Sequence, residues 1–168
     1  KRGGAQAGKA LTHQWDIPPG YIQGSSPNIW KDPAGNRTLE LKQDTQGVAK
    51  GQSIYQGLHD TVRGKKPVLE IQHLDEQRHW IKDFINQSTT LRELDAQGNA
   101  QSDTMYPGIQ EPETNLPPAL KVIYLGRTQR LVQDFKSQKT AWQEMGDQDK
   151  PVRQVLYPGI HHEIRGIA

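Results

Sequence analysis

Apolar and polar residues alternate in short runs along this chain, and clusters of Gly, Pro, Asn and Asp separate the runs. Asn28-Ile-Trp-Lys-Asp32 and Thr38-Leu-Glu-Leu-Lys42 flank Pro33-Ala-Gly-Asn36. That pattern predicts a β-hairpin, because Pro and Gly remove or loosen the constraints a strand needs while the flanks alternate with period two. Pro67-Val-Leu-Glu-Ile-Gln-His-Leu74 and Ala119-Leu-Lys-Val-Ile-Tyr-Leu125 read as further strands. Pro67 and Pro117-Pro118 stand at their starts, where a missing backbone donor is tolerated. Two segments are ambiguous. Trp80, Ile81, Phe84, Ile85, Leu91 and Leu94 fit a helical stripe over 75–94, and Leu131, Val132, Phe135, Trp142 and Met145 fit one over 127–146.

A repeat of 51 residues bears on that ambiguity. Ile54-Tyr-Gln-Gly-Leu58, Met105-Tyr-Pro-Gly-Ile109 and Leu156-Tyr-Pro-Gly-Ile160 lie at this offset without gaps. Asp32/Asp83/Asp134, Thr38/Thr89/Thr140 and Gln46/Gln97/Gln148 fall in register with them. The copies run over 13–64, 64–115 and 115–166. Copy one cannot be helical where Pro33 and Gly35 interrupt it, so the other two are expected to form hairpins as well. In each copy the Asp would open a turn by accepting backbone N–H bonds, and the β-branched Thr would restart a strand. The expected fold is all-β: three four-strand repeats closing as a β-trefoil-like barrel. The alternative is α+β, a βαβ-βαβ sandwich with helices near 75–94 and 127–146.

The run Asp32-Pro-Ala-Gly-Asn-Arg-Thr38 resembles the turns of bacterial YD/RHS repeats, with echoes in Asp44-Thr-Gln-Gly47 and Asp95-Ala-Gln-Gly98. The likeness covers one hairpin and implies that local shape alone.

At 168 residues the chain is expected to be a flexible basic arm, 1–9, followed by a single domain over 10–168. The net charge of +2 and pI near 8.8 lean only mildly toward polyanions. With no cysteine there is no disulfide framework, thiol nucleophile or thiolate metal site. No apolar run reaches membrane-spanning length, and the first residues lack an apolar signal core. Lys1-Arg-Gly-Gly4 reads as the opening of an excised or processed piece, and a secreted bacterial protein is the expected setting.

The densest polar cluster is Gly159-Ile-His161-His162-Glu163-Ile-Arg165, echoed by Gly57-Leu-His59-Asp-Thr-Val-Arg63. In an enzyme, His161, His162, Glu163, Arg165 and His59 would converge, histidine as general base and arginine on a phosphate. Adjacent histidines on a strand point to opposite faces, however, and no metal-ligand spacing is present, so neither metal nor cofactor is expected. Tyr55, Tyr106 and Tyr157 of the repeated Tyr-x-Gly, with Trp15 and Trp30, are the candidate ligand-binding aromatics. Gly-x-Gly-x-x-Gly, Walker and Gly-x-Ser-x-Gly motifs are absent. Threefold repetition of a scaffold favours a non-catalytic binding module for a glycan or protein ligand. The alternative is the catalytic domain of a secreted bacterial toxin, a metal-independent ribonuclease acting on RNA through the C-terminal His, Glu and Arg.

Overall fold

The structure is a computed structural model that describes residues 17–165. The basic arm and Trp15 lie outside the described residues. Contacts divide the chain into two compact units at Gln87/Ser88, which falls inside the second repeat. In the first unit, β1 (Ile22–Gln23), β2 (Ile29–Asp32), β3 (Arg37–Gln43), β4 (Ala49–Gln56), β5 (Leu69–Asp75) and β6 (Arg78–Asp83) each pair antiparallel with the next. In the second, β7 (Ser88–Leu94), β8 (Ala100–Pro107), β9 (Leu120–Tyr124), β10 (Gln129–Asp134), β11 (Lys139–Met145) and β12 (Pro151–Pro158) do the same.

The chain is therefore nearly all β, as the repeat argued. The helices considered for 75–94 and 127–146 do not form: β6, β7, β10 and β11 occupy those stretches, and helical structure among the described residues is one 3-10 turn at Asp147–Asp149. The trefoil-like closure is corrected too. Within each unit every strand docks on its predecessor in chain order, and neither unit pairs its first strand with its last, so neither sheet closes. Closure would require tilted, staggered strands whose ends meet; within each unit the strands follow one another as a meander instead.

Four-residue loops follow the repeated aspartates. Asp32 faces Arg37 and Asp134 faces Lys139, with Asn36 and Gln138 closing the loops at φ 54 and 57. Asp83 and Gln87 (φ 53) mark the same turn in the second copy. Asp83 Oδ1 accepts the amides of Ile85 and Asn86, and Asp134 Oδ1 those of Lys136 and Ser137, all within 3.1 Å. These are the Asx bonds that make a turn locally self-sufficient. A β-bulge then recurs at the same place in every copy, at Lys42/Gln43, Glu93/Leu94 and Glu144/Met145, adding twist to each hairpin.

An open sheet must cover its apolar faces with its own connections. In the first unit, cross-strand partners put Leu39, Leu41 and Ile54 on one face. Ile17, Tyr21 and Trp30 pack against them, together with Val68 and Leu69. On the other face Ile29 and Tyr55 form a small cluster with Val62, carried by the β4–β5 connection. In the second unit the most buried side chains include Leu131, Gln133 and Thr140, all at 0% exposure.

Candidate binding surface

The repeated Tyr-x-Gly belongs to a structural knot. In copy three the Thr140 hydroxyl donates to the Gly159 carbonyl at 2.8 Å and accepts the His161 amide at 2.9 Å. Thr38 makes the same pair of bonds with Gly57 and His59, and Thr89 with Gly108 and Gln110. Gly57, Gly108 and Gly159 have φ of 90, 71 and 81, a region side chains disfavour. Each threonine is fully buried. The side chain two residues past the glycine then closes the loop onto the backbone. His59 Nε2 lies 2.7 Å from the Gln56 carbonyl and His161 Nε2 lies 2.6 Å from that of Pro158. Gln110 Nε2 donates to the Pro107 carbonyl at 2.9 Å. An amide does the same task in the second copy, so the histidines at 59 and 161 serve here as backbone ties.

The other enzyme candidates are exposed. Glu163 and Arg165 form an ion pair at 3.0 Å with each other. His162 Nδ1 is 3.3 Å from Gln133 Nε2, which also donates to the His161 carbonyl at 2.8 Å. His59 lies in the first unit, and within that unit none of the C-terminal candidates is present to join it. Among the described residues no group of three His, Asp or Glu side chains is placed to hold a metal ion.

The aromatic candidates differ among themselves. Tyr55 is buried under the 60–65 segment, and its hydroxyl is 3.3 Å from Glu40 Oε1. Burial first, then the Glu40 carboxylate, push its phenol pKa up. Tyr106 and Tyr157 are half-buried, and Tyr157 meets His161 edge to face at 6.3 Å. Trp30 packs on the Leu39 cluster.

Two concavities share one face of the first unit. A polar groove of about 600 Å³ runs between Glu40, Tyr55 and the Asp60–Lys65 segment. The segment is tied down by an ion pair between Asp60 and Lys31. Beside it lies a cleft of about 230 Å³ bounded by Lys42, Gly51, Ser53, Glu70, Gln72 and Lys82. The register explains their adjacency. Lys42, Gly51, Gln72 and Trp80 are directly opposed across β3 to β6, and Glu40, Ser53, Glu70 and Lys82 form the next row. Glu40 and Ser53 thus separate groove from cleft by one cross-strand pair. Gly51 contributes no side chain, which leaves the cleft open, and a Cβ there would collide with the Ile71 carbonyl. Trp80, at 3% exposure, walls the cleft and offers no free ring face. The rim is polar: Lys42, Lys50 and Lys82 line the cleft with a single acid, Glu70, which lies directly across from Lys82.

A second polar system crosses the second unit. Arg92 grips both carboxylate oxygens of Asp103 at 2.8 and 2.9 Å, and the Tyr124 hydroxyl donates to Asp103 at 2.7 Å. Burial and that bond push the Tyr124 phenol up to about 12. Arg130 donates to Gln143, which donates to Gln154. In copy one, Leu41 and Gln52 occupy the places of Arg92 and Asp103. Sequence reasoning missed both systems. The one available signal was a charge, Asp103, standing mid-strand where its counterpart is neutral.

Comparison with protein families, curated proteins and solved structures finds no match for this chain.

Proposed function

We propose that this chain is a non-catalytic binding module for an elongated polar ligand, a glycan chain or an extended stretch of protein. The observation that carries the reading is the adjacency of groove and cleft on one face, from Asp60–Lys65 past Tyr55 and Ser53 to Lys82. Hydroxyl, amide, carboxylate and ammonium groups set in two adjoining concavities over a fixed sheet suit a ligand that bonds repeatedly along its length. The lysines favour ligands bearing acidic groups. Of the candidate aromatics, Tyr55 takes part as groove wall. A secreted bacterial protein remains the setting in which such a module is expected.

The ribonuclease reading rests on the exposed run His161–Arg165. It requires His161 to release the Pro158 carbonyl, or His162 to serve as base in its stead, with Arg165 exchanging Glu163 for phosphate. One experiment separates the two. Arrays of acidic and neutral glycans and of peptides are probed with the wild type and with Lys42→Glu/Lys82→Glu, and RNA cleavage is assayed in parallel. Binding that is lost in the charge-reversed variant, with an unchanged circular dichroism spectrum, supports the module. RNA cleavage abolished by His162→Ala supports the enzyme and defeats the module.

A further inference from the structure

The charges around the cleft belong to the first unit alone. Lys42, Lys50, Glu70 and Lys82 line it. The second repeat carries Glu93, Gln101, Lys121 and Gln133 at these positions. Two signs are reversed and two charges are gone, yet the cross-strand pairs are the same: Lys42 opposes Gly51 as Glu93 opposes Ser102, and Glu70 opposes Lys82 as Lys121 opposes Gln133. Pairing of the strands therefore does not require lysines here. The open space is also particular to this unit. Gly51 has no side chain, whereas the Ser102 hydroxyl occupies the matching place and donates to Glu93 at 3.2 Å.

The lysines are loosely answered by acids. Lys50 reaches Asp44 only at 3.8 Å, and among the described residues Lys42 forms no ion pair. Lys42 comes from β3 and Lys82 from β6, with the Gly51 and Gln72 positions between them, so the two ammonium groups enter the cleft from opposite sides. A concavity lined by one sign of charge in excess concentrates ions of the other sign. The floor also selects the kind of chain that can carry the anion. β3, β4 and β5 are each paired on both sides, so no strand edge opens beneath the cleft for a peptide backbone to join. What faces outward is side chains, with Glu40 and Glu70 on either side of Ser53 in one row. Carboxylates spaced in this way accept hydroxyl donors, which every sugar of a glycan supplies and a peptide backbone does not.

We infer that the cleft is the acid subsite for an anionic glycan: the carboxylate or sulfate of one sugar sits among Lys42, Lys50 and Lys82, and sugar hydroxyls donate to Glu70 and, toward the groove, Glu40. The inference rests on the binding-module reading and narrows it, from any elongated polar ligand to an acidic polysaccharide held at one site per chain. The lysines act as point charges, which set no fixed geometry on the acid.

Isothermal titration of the whole chain tests this with four probes: oligogalacturonate, its fully methyl-esterified neutral form, a sulfated galactan oligomer and oligoglutamate. At least one of the two acidic glycans should bind at one per chain, and which of them does tells carboxylate from sulfate. Lys42→Gln/Lys50→Gln changes two exposed side chains and should keep the fold while weakening that binding at least about tenfold. Lys136→Gln, an exposed lysine of the second unit, should leave it unchanged. Failure of both acidic glycans to bind overturns the inference, as does an equal loss in Lys136→Gln, which would mark general attraction of charge. Equal binding of the esterified form, or oligoglutamate binding as tightly as the acidic glycans, overturns it too; in those two cases a binding module remains, for a neutral glycan or for an acidic stretch of protein.

Discussion

The hydroxyl of Thr140 donates to the carbonyl of Gly159, nineteen residues further on, at 2.8 Å. The same bond joins Thr38 to Gly57 and Thr89 to Gly108. It pins the end of one strand to the left-handed glycine that ends its neighbour, and it satisfies a carbonyl the ladder does not reach. Replacing Thr140 by Val keeps the shape and leaves a carbonyl and the His161 amide without partner. We expect a loss of about 1–3 kcal/mol. Thr140→Ser, which keeps the hydroxyl, should lose less, as urea denaturation would show.

Arg92 and Asp103 should behave as a coupled pair. The Asp103 side chain is 3% exposed and that of Arg92 41%. Arg92→Leu strands a buried carboxylate and should cost about 3 kcal/mol, the low end for breaking a buried pair because Arg92 is partly in solvent. Copy one holds Leu41 and Gln52 at these places. The double variant Arg92→Leu/Asp103→Gln should therefore recover more than half of that loss in denaturant titration.

Acid should loosen the turns first. Backbone amides hold the carboxyls of Asp44, Asp83, Asp95 and Asp134 below the ordinary value of 3.8. A carboxylate whose folded pKa is depressed contributes stability above its unfolded value, and that contribution is lost as pH falls through the folded one. The thermal midpoint should accordingly drop as pH falls below 3.8. Asp134→Asn retains an acceptor for the turn and should reduce proton uptake on unfolding by up to about one, seen as a shallower pH dependence.

Gly51→Ala should be poorly tolerated although it adds one methyl group. The new Cβ meets the Ile71 carbonyl, a backbone atom held in the β4–β5 ladder. We expect a destabilisation of about 1–3 kcal/mol from the forced shift, together with a narrower cleft. Thermal denaturation measures the first effect.

The repeated columns made the hairpins legible, since Asp, Thr and Gly recur where a turn, a hydroxyl tie and a positive φ are needed. Helical spacing misled for a definable reason. Trp80 and Ile81 point to opposite faces of the sheet, as do Leu131 and Val132, and both faces are at least partly covered. Strands buried on two sides lose their alternation and can imitate a helical stripe. Closure was not legible, because strand number does not say whether the last strand meets the first. His161 looked like chemistry, yet its column reads His59, Gln110, His161, and a neutral amide in the middle copy already pointed to a structural tie. The face joining Tyr55, Gly51 and Lys82 was hidden because it depends on the register of four strands.

The central claim is that ligand binds along that face. Once arrays supply a glycan or peptide, amide-resolved NMR titration of the whole chain tests the claim directly. The account predicts shifts clustered at Glu40, Gly51, Ser53, Glu70, Gln72 and Lys82. Shifts confined to His161, His162, Glu163 and Arg165, above all with RNA, would contradict it.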